Sequence, residues 1–472
     1  MPKAPSTIYF VSLGCPKNRV DSEVMVGVAD GNGYELVDDP AKASVIVVNT
    51  CGFIGNAKKE SVDTIFEMAA YKEQGSCKRL VVAGCLSQRH PDEMAAEMPE
   101  VDHFLGSSDM LRLREVLEGK GERVMVGNPA QWVLRASDPR ALTTGLTSAY
   151  LKIAEGCNRT CSFCVIPQLR GKQRSRPVDD AVDEARKLVD QGVFEINLVS
   201  QDTIAYGRDL PKEGRPVLAD VVARIADVPG LRWLRLHYLY PEALDDRLLD
   251  LLANHPTVLP YIDMPLQHFA DGMLRRMRRG HGGDRIRRTV ERLREAVPNL
   301  VFRTAFIVGH PGETDDEFKE LCDFVQWAEF DRVGVFRYSD EESSLSATLD
   351  DKVPNRTAEA RYRKLMALQR KIAHKKNKAL VGQTVEVLVE GVSDEHEYVV
   401  MGRHKGQAPE IDGQVYLSGG DARAGELRRV QIVDASDYDL VGELLDEPPL
   451  VAARPPRPVK NKSGRVSLAV LR

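Results

Sequence analysis

Three cysteines, Cys157, Cys161 and Cys164, fall in the run Gly156-Cys-Asn-Arg-Thr-Cys-Ser-Phe-Cys, directly after an apolar stretch from Ala149 to Ala154 that reads as a strand. So short a loop has no room to pack three thiols separately, but it can converge them on one metal centre. A cubane 4Fe-4S cluster takes one thiolate per iron, so three cysteines leave one iron without a protein ligand. As at an open catalytic zinc site, that vacancy is where a small molecule can bind and react. On spacing alone, a structural zinc site missing one ligand is the alternative, because close cysteine pairs often bind zinc. Chance clustering is a poor account, since these are three of only eight cysteines in 472 residues.

A second set is spread out. Cys15, Cys51 and Cys85 each stand just past a short apolar run, beginning at Ile8, Val45 and Leu80, and lie 36 and 34 residues apart. Short continuous apolar strands separated by helical stretches indicate a parallel sheet covered on both faces. In open α/β sheets ligands bind beyond the strands' carboxyl ends. The three cysteines are therefore expected to meet there, as a second three-cysteine metal site built across the fold. One buried cysteine at a strand end is common; three in equivalent positions are much less so. Cys77, in a polar connection, and Cys322, in a helical stretch, read as packing cysteines or spare thiols.

The elements that must hold these residues follow from length and patterning. A chain of 472 residues predicts about three domains, and 43% apolar with 29% charged residues is an ordinary soluble composition. No apolar run approaches the roughly 18 residues of a membrane span, and the N-terminus lacks a signal-peptide layout. A cytoplasmic, reducing location is expected, where cysteines bind metal or react more often than they form disulfides. Residues 1–125 read as an α/β domain with a parallel sheet, and 126–146 as a linker broken by Asn128-Pro129, Asp138-Pro139 and Thr143-Thr144-Gly145. From 147 to 354, six strands at 149–154, 194–200, 232–239, 260–264, 301–308 and 333–338 alternate with helices. This predicts a partial (β/α)6 version of the eight-unit barrel, with its active site at the strands' carboxyl ends. Those ends carry Ser200-Gln201-Asp202, Pro265-Leu-Gln-His268 and Gly309-His-Pro-Gly-Glu313; His268 and His310 each read as hydrogen-bonded loop histidines.

Residues 355–378 form a basic amphipathic helix, with nine Lys/Arg against the single acid Glu359. Residues 379–446 alternate apolar and polar residues between glycine turns, the pattern of a small antiparallel barrel. That segment holds 14 acidic and 5 basic residues, a net of −9. The last segment, 447–472, is rich in Pro and Arg with a net of +5 and is expected to be disordered.

The spacing of Cys157, Cys161 and Cys164, with Phe163 before the last of them, resembles the signature of the radical S-adenosylmethionine (SAM) enzymes. With Cys15, Cys51, Cys85 and a terminal barrel, the layout over roughly residues 6–446 is similar to that of the methylthiotransferases, whose terminal barrel is the TRAM domain. The motifs that carry this are Gly14-Cys-Pro-Lys-Asn18, Asn49-Thr-Cys51-Gly-Phe, Gly156 to Cys164, Pro265-Leu-Gln-His268 and Pro311-Gly-Glu-Thr314. A zinc site explains none of the others.

The resemblance implies two 4Fe-4S clusters and SAM. Cys157, Cys161 and Cys164 would hold the first, with SAM chelated to its open iron, reduced and cleaved to a radical that removes a substrate hydrogen. Phe163 would pack near the adenine, Ser200 and Asp202 would hold the methionine end, and Gly309, Gly312 and Glu313 would border the adenosine. A second cluster on Cys15, Cys51 and Cys85 would carry the transferred sulfur. His310 stands where relatives more often have an aromatic residue.

Two branches of that family differ in substrate: an adenosine of transfer RNA, or an aspartate of ribosomal protein twelve of the small subunit. Cys15-Pro16-Lys17-Asn18, Ser200-Gln-Asp-Thr203 and Tyr338-Ser-Asp-Glu-Glu342 resemble the protein-modifying branch. Attack on an aspartate β-carbon needs cofactor radical chemistry, because no side-chain base removes so unactivated a hydrogen. Charge gives a separate argument: a barrel at −9 would repel an RNA backbone and attract a basic ribosomal protein, unless its acids only form a solvated face. The basic helix and tail are candidates for touching ribosomal RNA. The expected partners are ribosomal protein twelve and an electron donor, with no membrane and a monomeric state. The competing readings are a transfer-RNA methylthiotransferase and a non-catalytic metal-binding scaffold on the ribosome.

Overall fold

The structure is a computed structural model that describes residues 6–143, 147–241, 244–393 and 399–453. The Thr144-Gly145 breakers and the tail from 454 onward lie outside the described residues.

The first sheet contains β1 (Thr7–Ser12), β2 (Glu35–Leu36), β3 (Val45–Thr50), β4 (Arg79–Gly84), β5 (His103–Leu105) and β6 (Val124–Met125), in the order β2-β1-β3-β4-β5-β6 and parallel throughout. Its central strands are apolar on both faces because each face packs its own core, Phe10, Val47 and Val81 on one side and Val11, Ile46 and Val82 on the other. Register matters most for function. Ser12 pairs with Asn49 and Thr50 with Gly84, so β1, β3 and β4 end flush. The short strands β2, β5 and β6 went unread in the sequence because two or three residues carry no period.

The central sheet runs β14-β13-β12-β11-β10-β7, again parallel, and forms the open barrel of six units. Its strands are β7 (Ser148–Lys152), β10 (Glu195–Val199), β11 (Trp233–Leu236), β12 (Val258–Asp263), β13 (Val301–Val308) and β14 (Arg332–Arg337), each within a few residues of the expected span. The apolar run 149–154 is not one strand. It leaves the sheet after Lys152, and β8 (Ala154–Glu155) pairs antiparallel with β9 (Arg174–Ser175). The cysteine loop is thereby closed by a small ladder.

The terminal domain is a closed barrel of β15 (Thr384–Val392), β16 (Val400–His404), β17 (Val415–Ser418), β18 (Leu427–Ala435) and β19 (Leu440–Leu444). It is antiparallel except for β17–β19, which pair in parallel to close it. Part of its acidity is met by cations from the rest of the chain. Arg19 holds Glu410, Arg303 approaches Asp412, Lys378 binds Asp434, and Arg370 and His374 meet Asp437. The helix Asn355–Lys378 likewise faces Lys375 to Glu329, Lys376 to Asp331 and Arg361 to Glu313. The sequence shows two opposite charge blocks; the fold sets them against one another and against the central domain. The net charge of the barrel is thus a weaker argument for a basic partner than it is on paper, and the helix keeps fewer free cations for RNA.

The linker is a strap. Arg140 donates to Glu23 Oε2 from Nε (2.9 Å) and Nη2 (2.6 Å), pairs with Glu184, and also meets the Tyr150 carbonyl. One guanidinium therefore joins the first domain, the linker and the barrel.

Candidate metal centres

Flush strand ends bring Cys15, Cys51 and Cys85 to one edge. Cys15 directly precedes the helix Pro16–Gly31, and Cys85 opens the helix Cys85–Arg89. The strand ends are pinned by side chains. Asn18 Nδ2 donates to the carbonyls of Leu13 (3.0 Å) and Thr50 (2.9 Å), and Asn49 Nδ2 donates back to the Asn18 carbonyl (2.8 Å). Gly14, at φ +90°, leaves no space for a side chain: a Cβ there would stand 2.9 Å from Cys51 Cβ and 3.2 Å from its Sγ. Burial, then the neighbouring Cys85 and Cys15, push the Cys51 thiol up to about 12, and burial also raises Cys85. Cys51 and Cys85, both made reluctant to ionise, are suited to a metal that enforces the thiolate by binding it.

The second set is brought together by the β8–β9 ladder. The Cys157 amide donates to the Gly171 carbonyl (3.1 Å), and the Cys164 amide to that of Cys161 (3.1 Å). Burial pushes Cys157 up to about 11 and, with Cys161 and Cys157 adding to it, Cys164 up to about 12. Arg279 Nη1 lies 3.4 Å from Cys161 Sγ, and the guanidinium groups of Arg279 and Arg159 both stack on the Tyr240 ring, at 4.2 and 3.8 Å. Gly156, at φ +80°, lets the loop return, because a Cβ there would collide with the Lys172 carbonyl. Gly156→Ala should cost about 1–3 kcal/mol of backbone strain; a lower melting temperature and less bound iron in the reconstituted full chain would register it.

Among the described residues, no three His, Cys, Asp or Glu side chains stand close enough to hold a single metal ion. Each set is made of thiols, soft donors of the kind that iron–sulfur clusters take.

The remaining candidates sort by what already occupies them. Asp202 is buried; Arg159 Nε donates to its Oδ2 (2.5 Å), while Oδ1 has no hydrogen-bond partner in the structure. A buried carboxylate oxygen left open suits an ammonium group. Ser200 Oγ lies 3.1 Å from Thr203 Oγ1 and is wholly buried. Phe163 packs on Ala270, Met273 and Met277. Glu313 is taken up internally: His268 Nε2 donates to Oε1 (3.2 Å), and the Gly309 amide (2.5 Å) and Arg361 (2.7 Å) donate to Oε2. It shapes the turn at Gly309 from behind. Gly309 and Gly312 both have φ +76°, and Gly309 borders a cleft of about 640 Å³ that reaches Ile54 and Asn56, just past Cys51. His268 and His310 are the hydrogen-bonded loop residues expected. His310 Nε2 meets Ser346 Oγ (2.7 Å), its ring lies edge-on to Tyr338, and burial pushes its pKa down to about 4. A histidine with a depressed value is neutral above it, so its ring signals in an NMR titration should stay unprotonated from pH 7 to about pH 5.

Three family signatures match the chain: the radical SAM superfamily over residues 151–325, the uncharacterized protein family UPF0004 over 7–106, and the TRAM domain over 381–445. The ribosomal protein uS12 methylthiotransferase RimO of Sorangium cellulosum (strain So ce56) is 72% identical over 444 residues, covering 93% of this chain and 91% of that protein. The protein of the same name from Myxococcus xanthus (strain DK1622) is 50% identical, covering 94% and 93%. The chain belongs to the RimO family of radical SAM methylthiotransferases. Among solved structures, the radical SAM methyltransferase TsrM of Kitasatospora setae with tryptophan and aza-SAM bound superposes with a TM-score of 0.51 at 17% identity. It covers 70% of this chain and 72% of that one, and shows a shared fold.

In this RimO-family chain the segment Tyr338 to Glu342 works as a clasp. Ser339 Oγ accepts from the Gly55 amide (3.2 Å), and Glu341 pairs with Arg89 (2.7 Å) and Lys58 (3.0 Å). It fastens the first domain onto the end of β14 beside Cys51. Several residues of the site were not singled out from sequence: Asp21, Lys152, Glu155 and Arg170. The signal was faint but present, since Lys152 and Glu155 are charges at a strand end and Arg170 follows Cys164 by six positions.

Proposed function

We propose that this enzyme methylthiolates the β-carbon of an aspartate in ribosomal protein uS12. The reading is carried by the 72% identity, over 93% of the chain, to a protein named for that reaction. Cys157, Cys161 and Cys164 would hold one 4Fe-4S cluster and Cys15, Cys51 and Cys85 a second. When bound, the clusters and SAM supply the radical and the sulfur that no side chain can.

The chain's own residues bind, orient and exclude water. Asp202, steadied by Arg159, offers Oδ1 to the amino group of SAM, and Ser200 stands beside it. Phe163 gives the adenine an apolar neighbour. Gly309 and Gly312 let the backbone approach the adenosine, with Glu313 holding that turn in shape. The cleft of about 640 Å³ bordered by Asn56 and Gly309 is the entrance this reading assigns to the substrate loop. The three domains are taken as 1–125, 147–354 and 379–446, joined by the strap at 126–146 and the helix at 355–378. A monomer in the cytoplasm, served by an electron donor and bound to no membrane, completes the reading.

The test is anaerobic reconstitution with iron and sulfide, then incubation with SAM, a reductant and either uS12 or unmodified transfer RNA. A methylthio increment on a uS12 aspartate is expected by mass spectrometry. An increment on the RNA would overturn the substrate, and absence of 5′-deoxyadenosine despite bound iron would favour a scaffold. Asp202→Asn should raise KM for SAM by about 10- to 200-fold, a loss of about 1.5–3 kcal/mol for a hydrogen bond to a charged group, with cluster absorbance unchanged.

A further inference from the structure

Arg170 belongs to the central domain, in the helix Ile166–Arg170 that follows the cysteine loop, yet its guanidinium is buried against the first domain's cysteines. Its Nη2 donates to Asn18 Oδ1, the same oxygen that lies 3.7 Å from Cys85 Sγ. Its charge acts on all three thiols, on Cys51 and Cys85 as an attractive neighbour and through its interaction with Cys15. Behind it runs a buried quartet. Arg170 Nη1 donates to Asp21 Oδ2 (2.7 Å), Lys152 Nζ to Asp21 Oδ1 (2.6 Å) and to Glu155 Oε2 (2.6 Å), all four residues being at most 3% exposed. Gln201 Nε2 then donates to Glu155 Oε1 (2.5 Å), next to Asp202. Two cations and two anions cancel within the quartet, so the arrangement is neutral as a whole but presents its positive end to Cys15, Cys51 and Cys85.

We infer that Arg170 is a positioning residue by which the central domain completes the first domain's cysteine site, supplying the countercharge that sets the reduction potential of the group held there. The inference rests on the reading of Cys15, Cys51 and Cys85 as cluster ligands. A bound cluster with three thiolates is an anion, and on the side of Cys85, where Arg170 and Asp21 are buried, a fixed charge acts with little screening. A cation favours the more negative, reduced state; removing it must lower the potential. Asp21 opposes Arg170, so its neutralisation must shift the potential the other way. The same fourteen-residue stretch, Cys157 to Arg170, thus serves both centres: thiols to one and a charge to the other.

The test uses the full chain with Cys157, Cys161 and Cys164 replaced by Ala, so that one site alone can hold a cluster, followed by redox titration with electron paramagnetic resonance. Arg170→Gln should lower the potential by an amount equivalent to about tenfold less reduced cluster at fixed solution potential, about 59 mV for one electron. Asp21→Asn should raise it, and Arg170→Lys should fall between Arg170→Gln and the parent. Equal potentials in all variants at equal iron and sulfide content, or shifts of the same sign in Arg170→Gln and Asp21→Asn, would overturn the inference. Should Arg170→Gln lose its cluster, the direction of the Asp21→Asn shift decides alone. A parent triple variant that binds no iron or sulfide would instead overturn the reading of Cys15, Cys51 and Cys85, and the inference with it.

Discussion

Cys51→Ala should leave formation of 5′-deoxyadenosine running near the parent rate while methylthio transfer to uS12 falls to background; Cys157→Ala should abolish both. The asymmetry follows from how the two cysteine sets are built. Cys157, Cys161 and Cys164 sit in one loop closed by Ala154–Ser175 and Glu155–Arg174 pairing, beside Asp202 and the Gly309 turn. Everything proposed to bind SAM is in that domain. Cys51 stands at the end of β3 in another domain, held by its own contacts: its amide donates to Ser61 Oγ, which donates back to the Cys51 carbonyl, each at 3.0 Å. Removing its thiol leaves both bonds to the Ser61 hydroxyl intact. Product analysis by liquid chromatography and mass spectrometry separates the two activities in one reaction. Equal loss of 5′-deoxyadenosine in Cys51→Ala would show that the sets act as one centre.

Glu195→Ala should destabilise the chain by about 3–5 kcal/mol, the cost of breaking a buried ion pair from one side. Glu195 lies at the start of β10, fully buried. Arg235 Nε donates to its Oε1 (2.8 Å) and Arg403 Nη2 to its Oε2 (2.7 Å), Arg403 coming from β16 of the terminal barrel. Without the carboxylate, two guanidinium groups face each other in the dry joint between barrel and central sheet. A urea titration should show a lower midpoint, with the barrel's release from the central domain as the first transition. Arg403→Ala should cost less than Glu195→Ala, because Glu195 would keep Arg235 and only the partly exposed Glu390 would lose its partner. The triad also imposes a pH dependence. Burial by itself would raise the Glu195 pKa, but Arg403 and Arg235 outweigh it and hold it below the ordinary value. A depressed carboxylate stabilises fully above its unfolded value, roughly pH 4.3, and that contribution is lost as pH falls through the folded value. The variant should therefore have a flatter stability profile than the parent below about pH 4.3.

The residues that would do the chemistry were legible because their constraint is local. Three cysteines within eight residues must share a loop, and an apolar run ending in Gly-Cys, repeated, must be a buried parallel strand that delivers a thiol at its end. Periodicity likewise shows six βα units and a small barrel, since each strand there is long enough to carry a pattern. The same reasoning fails at β2, β5 and β6, at the break after Lys152, and at the parallel closure by β17 and β19, where long-range pairing and not local pattern makes the strand.

Charge was the least legible property. Read along the chain, −9 on the barrel and nine cations on one helix look like two binding surfaces. Folded, Lys378 meets Asp434, Arg370 meets Asp437 and Arg19 meets Glu410, because a charge is neutralised by whatever the fold brings near, however distant in sequence. Arg170 makes the same point at the site itself. By sequence alone it is one of many arginines after the cysteine loop; Asp21 lies 149 positions away and Asn18 152. Sequence by itself determined where the thiols stand, at strand ends and within one loop, and the family to which the chain belongs, since spacing and strand-end position are properties of short segments. Only the tertiary structure decided which buried charges stand against those thiols, because electrostatic energy depends on distance through space and on the exclusion of water, and neither is written in the order of residues.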